Sequence, residues 1–137
     1  MEISDNVMGL VWDKLITNVG LNAITAITGI LNGQALDIPE ARELSRKAVQ
    51  EAVAVAERKG IRLCDDPLKH IEEILHMTGG NRSSMLQDVM RHKRTEIDFI
   101  NLAIVREAVA LEMQALVNEV LGKLVRVLEA TYPELQT

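Results

Sequence analysis

Three polar residues four apart, Lys14, Asn18 and Asn22, stand in the stretch WDKLITNVGLNAITAITG from Trp12 to Gly29. At about 100° per residue, Lys14, Asn18, Asn22 and Thr25 fall in one narrow sector of a helix. Leu15, Ile16, Val19, Ala23, Ile24, Ala26 and Ile27 fill the broad opposite side. A plain solvent face would use Glu, Lys or Gln, which cost less in a helix than asparagine. An amine beside uncharged amides and a hydroxyl can fix a small polar ligand through directional hydrogen bonds. The same groups can also form an interhelical network that sets packing, and the pattern alone leaves both readings open.

Other chemistry-bearing residues are sparser. His70 and His76 lie near Cys64, Asp65 and Asp66. A spacing of six puts the two histidines on different faces of a helix, so no metal site is expected. Arg91-His92-Lys93-Arg94 is the one dense basic run, and it reads either as a solvated turn or as an anion contact. The net charge of −5 argues against nucleic acid as the main partner. Cys64 is the only cysteine, so no internal disulfide can form, and a reducing, cytoplasmic setting is the expectation. Glu2 and Asp5 stand where a signal peptide would be positive. The longest apolar stretches break before about 18 residues, so no membrane span is expected.

The elements that must position these groups are helices. Hydrophobic content is 47% but aromatic content only 2%, which calls for an aliphatic core, and there are only three prolines. A first helix is predicted from about Asp5 to Leu31, with Trp12 as its core anchor, and Asn32-Gly33 is predicted as a turn. Pro39 falls in the first turn of a second helix, with Asp37 as candidate cap. There Ala41, Leu44, Ala48, Ala52 and Ala56 make one apolar face, and Gly60 is the stop. Asp66-Pro67 starts a third helix that ends before Gly79-Gly80, and Ser83 or Ser84 caps a fourth to about Arg91. Thr95 with Asp98 forms an approximate capping box for the last helix. Met77, Met85, Met90 and Met113 read as core filler. The expectation is an all-α, single-domain fold over 137 residues.

The first stretch pairs with a second, SSMLQDVMRHKRTEID, from Ser83 to Asp98. Together, W-x-K-L-x-x-N-x-x-x-N-x-x-T-A-x-T-G and S-S-M-L-Q-D-…-R-T-E-I-D-x-I-N resemble the C-terminal domain of ketopantoate reductase (2-dehydropantoate 2-reductase). The intervening IPEARELSRKAVQEAVAVAERKGIRL is similar to that family's linking segment, so the resemblance covers about Ser4 to Pro133. It implies a helical domain like the C-terminal domain of 6-phosphogluconate-dehydrogenase-type reductases. It also implies reduction of ketopantoate to pantoate with NADPH, toward pantothenate. Lys14 matches the family's catalytic lysine. Asn18, Asn22 and Asn32 match its substrate-side asparagines, Ser84 a serine that contacts substrate, and Glu96 the acidic residue that completes the site. Apart from the resemblance, Glu96 also reads as a helix-start carboxylate that only complements the dipole.

The chain departs from the family's pattern in two places. No G-x-G-x-x-G occurs, so NADP(H) is not expected to bind this chain alone, and little or no reductase activity is expected from it. Beyond IDxIN, Leu102 stands where the family has glycine. Glu112-Met113-Gln114-Ala115-Leu116 replaces a Gly-Ile-Pro-x-Pro-like break. Loss of the breakers predicts one unusually long last helix from Glu96 to Ala130, about 50 Å at 1.5 Å per residue. That exceeds a domain whose radius of gyration should be about 14 Å. Such a helix needs a partner or a kink near Gly122, and the expectation is a homodimer, with exchange of the C-terminal helix as one way to form it. The rival to an enzyme part is a truncated or engineered helical module whose present property is self-association. A third reading is a reductase of another 2-oxo acid.

Overall fold

The computed structural model describes residues 2–63 and 66–133, with side chains from Val7 onward; Cys64 and Asp65 lie outside the described residues. All regular structure among them is helical: α1 (Glu2–Thr28), α2 (Asn32–Asp37), α3 (Pro39–Arg58), α4 (Pro67–Met77), α5 (Ser84–Met90), a 3-10 turn (Ile97–Phe99), α6 (Asn101–Ala110) and α7 (Leu116–Ala130).

α1 is the axis of the fold, with α3, α4, α5 and α7 packed around it. Every residue from Val19 to Ala26 is buried, so this stretch has no solvent face. Trp12, 6% exposed, anchors its first half as expected. Gly20 lets α3 and α4 come close: a Cβ there would lie 2.7 Å from Val49 Cγ2 and 2.9 Å from Ile71 Cδ1. The helix ends at Gly29, whose φ of 78° is in the left-handed region.

Local stop and start signals are obeyed at several ends. Gly60 (φ 78°) closes α3, with Ile61 N–H donating to Ala56 O at 2.9 Å. The Asp66 carboxylate accepts from Leu68 N–H at 3.2 Å, and Ser83 Oγ accepts from Leu86 N–H at 3.1 Å. Other expectations need correction. Asn32-Gly33 begins the short α2 instead of forming a turn. Ile38 stands at the cap of α3, with no side-chain cap bond, and Asp37 belongs to α2. Leu44 is exposed, and Ser45 takes the buried position on that face. Met85 is core and Met113 packs on it, but Met77 and Met90 are exposed.

The largest correction concerns the single long last helix. α6 stops at Ala110, and α7 starts afresh at Leu116. Met113 N–H donates to Ala108 O at 2.8 Å, and Glu112 takes φ 59°. This is the left-handed helix stop that glycine normally occupies. The chain therefore keeps the bend with glutamate where the family pattern has glycine, against a cost of about 1–2 kcal/mol for a side chain in that region. Tertiary contacts outweigh helix propensity here. The Glu51 carboxylate of α3 accepts from the N–H groups of Val117 (2.9 Å) and Asn118 (3.0 Å), capping α7 from across the fold. The Asn118 amide donates to Ala48 O at 3.0 Å, and its Oδ1 accepts from Asn101 Nδ2 at 2.9 Å. The turn returns Leu121 and Val125 to the core. α6 and α7 meet closely where Leu102 lies over Gly122, since a methyl on that glycine would collide with the leucine side chain. With the bend in place, exchange of an overlong helix has no structural basis.

The expected capping box at Thr95 is also replaced. Glu129 of α7 accepts from both the backbone N–H and the hydroxyl of Thr95, each at 2.7 Å. Asp98 pairs with Arg126 of α7.

Candidate functional site

The polar line on α1 descends from the surface into the interior. Lys14 is exposed, Asn18 half-buried, Asn22 5% exposed and Thr25 fully buried. At the deep end, the Thr25 and Ser83 hydroxyls are hydrogen-bonded at 2.6 Å. The Thr25 hydroxyl also lies 3.0 Å from Leu21 O and 3.1 Å from Asn22 O. This clasp seats the start of α5 on the Asn22–Thr25 turn of α1. It also carries Ser84, exposed in the first turn of α5, to the end of the line.

Asn32 reaches the same region from α2. Its backbone N–H donates to Asn81 O at 2.9 Å, and Gly33 N–H donates to Gly79 O at 3.0 Å. Its Nδ2 donates to Thr78 Oγ1 at 3.0 Å. Its Oδ1 is buried without a hydrogen-bond partner among the described residues. The loop from Thr78 to Ser83 therefore ties Asn32 and Ser84 to the inner half of α1. Thr78 and Ser83 were not singled out from the sequence as parts of this arrangement; the only signal was their hydroxyls beside Gly79-Gly80 and Asn81.

Asn18 and Lys14 lie about one and two turns outward from Asn22 on α1, and the Thr78–Ser83 loop links Asn32 to the start of α5. Among the described residues no ion pair or hydrogen bond joins Glu96 to Lys14. Glu96 is exposed at the head of the 3-10 turn, between Thr95 and Asp98, which α7 holds through Glu129 and Arg126.

Buried amides normally find partners, because leaving one unpaired costs about 1–3 kcal/mol. Among the described residues the Asn22 carboxamide is engaged in no hydrogen bond, and Asn32 leaves its oxygen open. Among the described residues, the Thr25–Ser83 bond is the interhelical side-chain hydrogen bond that this sector makes. A groove of about 560 Å³ beside the Thr78–Ser83 loop is lined by Gly80, Asn81, Arg82, Gln87, Met90 and Arg91 and contains none of the six predicted residues.

Two remaining sequence features carry less. Arg91, His92, Lys93 and Arg94 are all exposed. They form the stop of α5: His92 takes φ 56°, and Lys93 N–H donates to Asp88 O at 2.8 Å. Tyr132 donates its hydroxyl to Lys93 O at 2.9 Å and stacks obliquely on His92. Burial first, then the carboxylates of Glu129 and Asp88, raise the Tyr132 phenol above its ordinary value. No group of three metal-ligating side chains occurs among the described residues, and no helix is long and apolar enough to cross a membrane.

Comparison with known proteins matches the same span. The family model described as ketopantoate reductase PanE/ApbA C terminal covers residues 6–129. A 2-dehydropantoate 2-reductase of Archaeoglobus fulgidus is 38% identical over 120 residues, 88% of this chain and 40% of that protein. One from Pyrococcus horikoshii is 36% identical over 129 residues, 94% of this chain and 43% of that protein. The crystal structure of a PanE/ApbA family ketopantoate reductase from Ralstonia eutropha JMP134 superposes with a TM-score of 0.85 at 38% identity, covering 89% of this chain and 41% of that one. D-mandelate dehydrogenase in complex with NADH superposes with a TM-score of 0.86 at 26% identity, over 93% of this chain and 44% of that one. The chain spans about two fifths of the length of these relatives. With its polar line, its capped α5 and the family match over residues 6–129, the chain belongs to the ketopantoate reductase C-terminal domain family.

Proposed function

We propose that this chain supplies the substrate-side wall and the proton donor of an NADPH-dependent 2-dehydropantoate 2-reductase, which turns ketopantoate into pantoate. The observation that carries the reading is the buried, unpartnered Asn32 Oδ1 together with the unbonded Asn22 carboxamide on a line that starts at an exposed lysine. A buried amide with unused donors and acceptors costs stability unless a ligand completes it.

As a ketone is reduced, negative charge grows on its oxygen. The Lys14 ammonium is assigned to that oxygen: it donates a hydrogen bond, then the proton, and is left as the neutral amine. Asn18 and Asn22 hold oxygens of the substrate without adding charge, and Asn32 Oδ1 accepts from its hydroxyl. The Ser84 hydroxyl, in the first turn of α5, is the contact for the carboxylate. Glu96 is assigned the remaining polar contact of the substrate. The described residues do not fit a dinucleotide: they form no β-strand and hold no phosphate-binding loop. Their share of the chemistry is to bind, orient and protonate. By itself, the chain is expected to bind the oxo acid without reducing it.

An amide-resolved NMR titration with ketopantoate tests this. Shifts that cluster at Asn18, Asn22, Asn32 and Ser84, and that vanish in Asn22→Ala, are the expected result. No shift at millimolar ligand in a folded chain would remove the assignment. The likeness to D-mandelate dehydrogenase supports a second reading, a different 2-oxo acid. Phenylglyoxylate in the same titration decides between them, because only the preferred acid should saturate at the lower concentration.

A further inference from the structure

We infer that the groove between the Thr78–Ser83 loop and α5 receives the phosphate group of a small phosphomonoester, held by Arg82 and Arg91. This site goes beyond the oxo-acid reading and does not rest on it. Gly80, Asn81, Arg82, Gln87, Met90 and Arg91 line the groove, whose volume of about 560 Å³ suits a small molecule. Its two cations come from opposite ends of one element. Arg82 stands just before Ser83, the cap of α5, and Arg91 just after Met90, the last residue of α5. Gln87 ties the helix to the loop, because its Nε2 donates to Arg82 O at 3.1 Å.

Charge singles this groove out. No carboxylate lines it, in a chain whose acidic residues outnumber its basic ones by 20 to 15. Two other grooves of similar size on the described surface mix the signs. Arg42, Arg46 and Lys47 share one with Asp37 and Glu43, and Lys93, Arg94 and Arg126 share the other with Glu129. Arg42 and Arg126 also pair with acids, Glu72 and Asp98. Among the described residues the guanidinium groups of Arg82 and Arg91 make no ion pair or hydrogen bond. Two uncompensated like charges on one groove repel each other, and an anion between them turns that repulsion into attraction. A phosphomonoester carries a charge of about −1.5 to −2 near neutral pH, enough to compensate both arginines. A carboxylate compensates only one. The planar fork of each guanidinium offers parallel N–H donors to phosphate oxygens. The Asn81 carboxamide, also without a partner among the described residues, adds a donor. Met90, 57% exposed, gives the organic part an apolar wall.

An amide-resolved NMR titration of the full chain with phenyl phosphate is the test, with benzoate as the monoanionic control and circular dichroism to show that each variant is folded. The expected result is saturable shifts at Gly80, Asn81, Arg82 and Arg91, with benzoate far weaker. Arg82→Gln and Arg91→Gln should each weaken binding by about tenfold or more. Arg46→Gln, in a groove of mixed charge, should leave it unchanged. Asn22→Ala should leave it unchanged too, so failure of this site and failure of the oxo-acid site are separate results. No saturation at millimolar phenyl phosphate in a folded chain overturns the proposal. So does benzoate that binds as tightly, an Arg46→Gln loss equal to those of the two groove variants, or displacement of phenyl phosphate by ketopantoate at equal concentration.

Discussion

Asparagines do opposite work in the two halves of this molecule. In the α6–α7 half, Asn101 and Asn118 are fully buried and bonded to each other, and Asn118 also bonds Ala48 O and Glu51. Only one oxygen, Asn101 Oδ1, is left over there. In the α1–α2 half, Asn22 and Asn32 are 5% exposed; the Asn22 carboxamide makes no hydrogen bond among the described residues, while Asn32 donates to Thr78 and leaves its oxygen open. Residue type and burial are the same, so neither identifies a binding residue. What separates them is whether the protein itself completes the hydrogen bonds. The first pair bonds across the bend; the second is the pair assigned to the proposed oxo acid.

Paired substitutions can break this contrast. Asn118→Ala removes the partner of Asn101 Nδ2, leaves Ala48 O without a side-chain donor and takes one bond from the Glu51 carboxylate that caps α7. A loss of about 3 kcal/mol in denaturant unfolding is expected. Ligand affinity, read on chain that is still folded, should be little changed. Asn22→Ala should do the reverse. With no protein partner to orphan, stability should move by less than about 1 kcal/mol, while affinity for the oxo acid falls about tenfold or more. If both substitutions cost similar stability and similar affinity, the two sets of asparagines are not functionally distinct.

The legibility of the sequence follows the range of the interactions. The stops and caps at Gly60, Asp66 and Ser83 are read correctly because each is completed within a few residues. The bend between α6 and α7 is not readable that way. Its local residues favour a helix, and the carboxylate that caps α7 is Glu51, 66 residues from Val117. Asn101 and Asn118, 17 residues apart, meet only once the bend has formed. The polar line on α1 is legible as a sector, but its gradient of burial is not, because that depends on α5 seating Ser83 on Thr25. Glu96 was assigned through the family pattern, and the fold shows how it is held: by Glu129 and Arg126 of α7, acting on its neighbours.

The bend itself offers a smaller test. Glu112 holds φ 59° with no glycine to relieve it. Glu112→Gly removes about 1–2 kcal/mol of strain but loosens the unfolded chain, so a net gain of about 0.5–1 kcal/mol is expected. It should appear as a higher melting temperature with ligand affinity unchanged. A destabilised variant would mean that the Glu112 side chain contributes more than its backbone costs.

The smallest effect uses Tyr132, the only tyrosine, as a reporter of the α7 half. Its phenol is raised above 10.0, first by burial and then by the negative charges of Glu129 and Asp88. The folded protein therefore prefers the protonated phenol. The stability linked to it is whole below the unfolded value near pH 10 and is lost as pH rises through the folded value. Ultraviolet titration should give a midpoint above 10.0 in the native chain. Glu129→Gln should move that midpoint down, because it removes a repulsive charge from the phenolate. Saturating oxo acid should leave it where it is, since the ligand is assigned to the other half of the molecule. A midpoint that follows ligand would show that the two halves are coupled, and that α7, through Thr95 and Asp98, carries site occupancy across the fold.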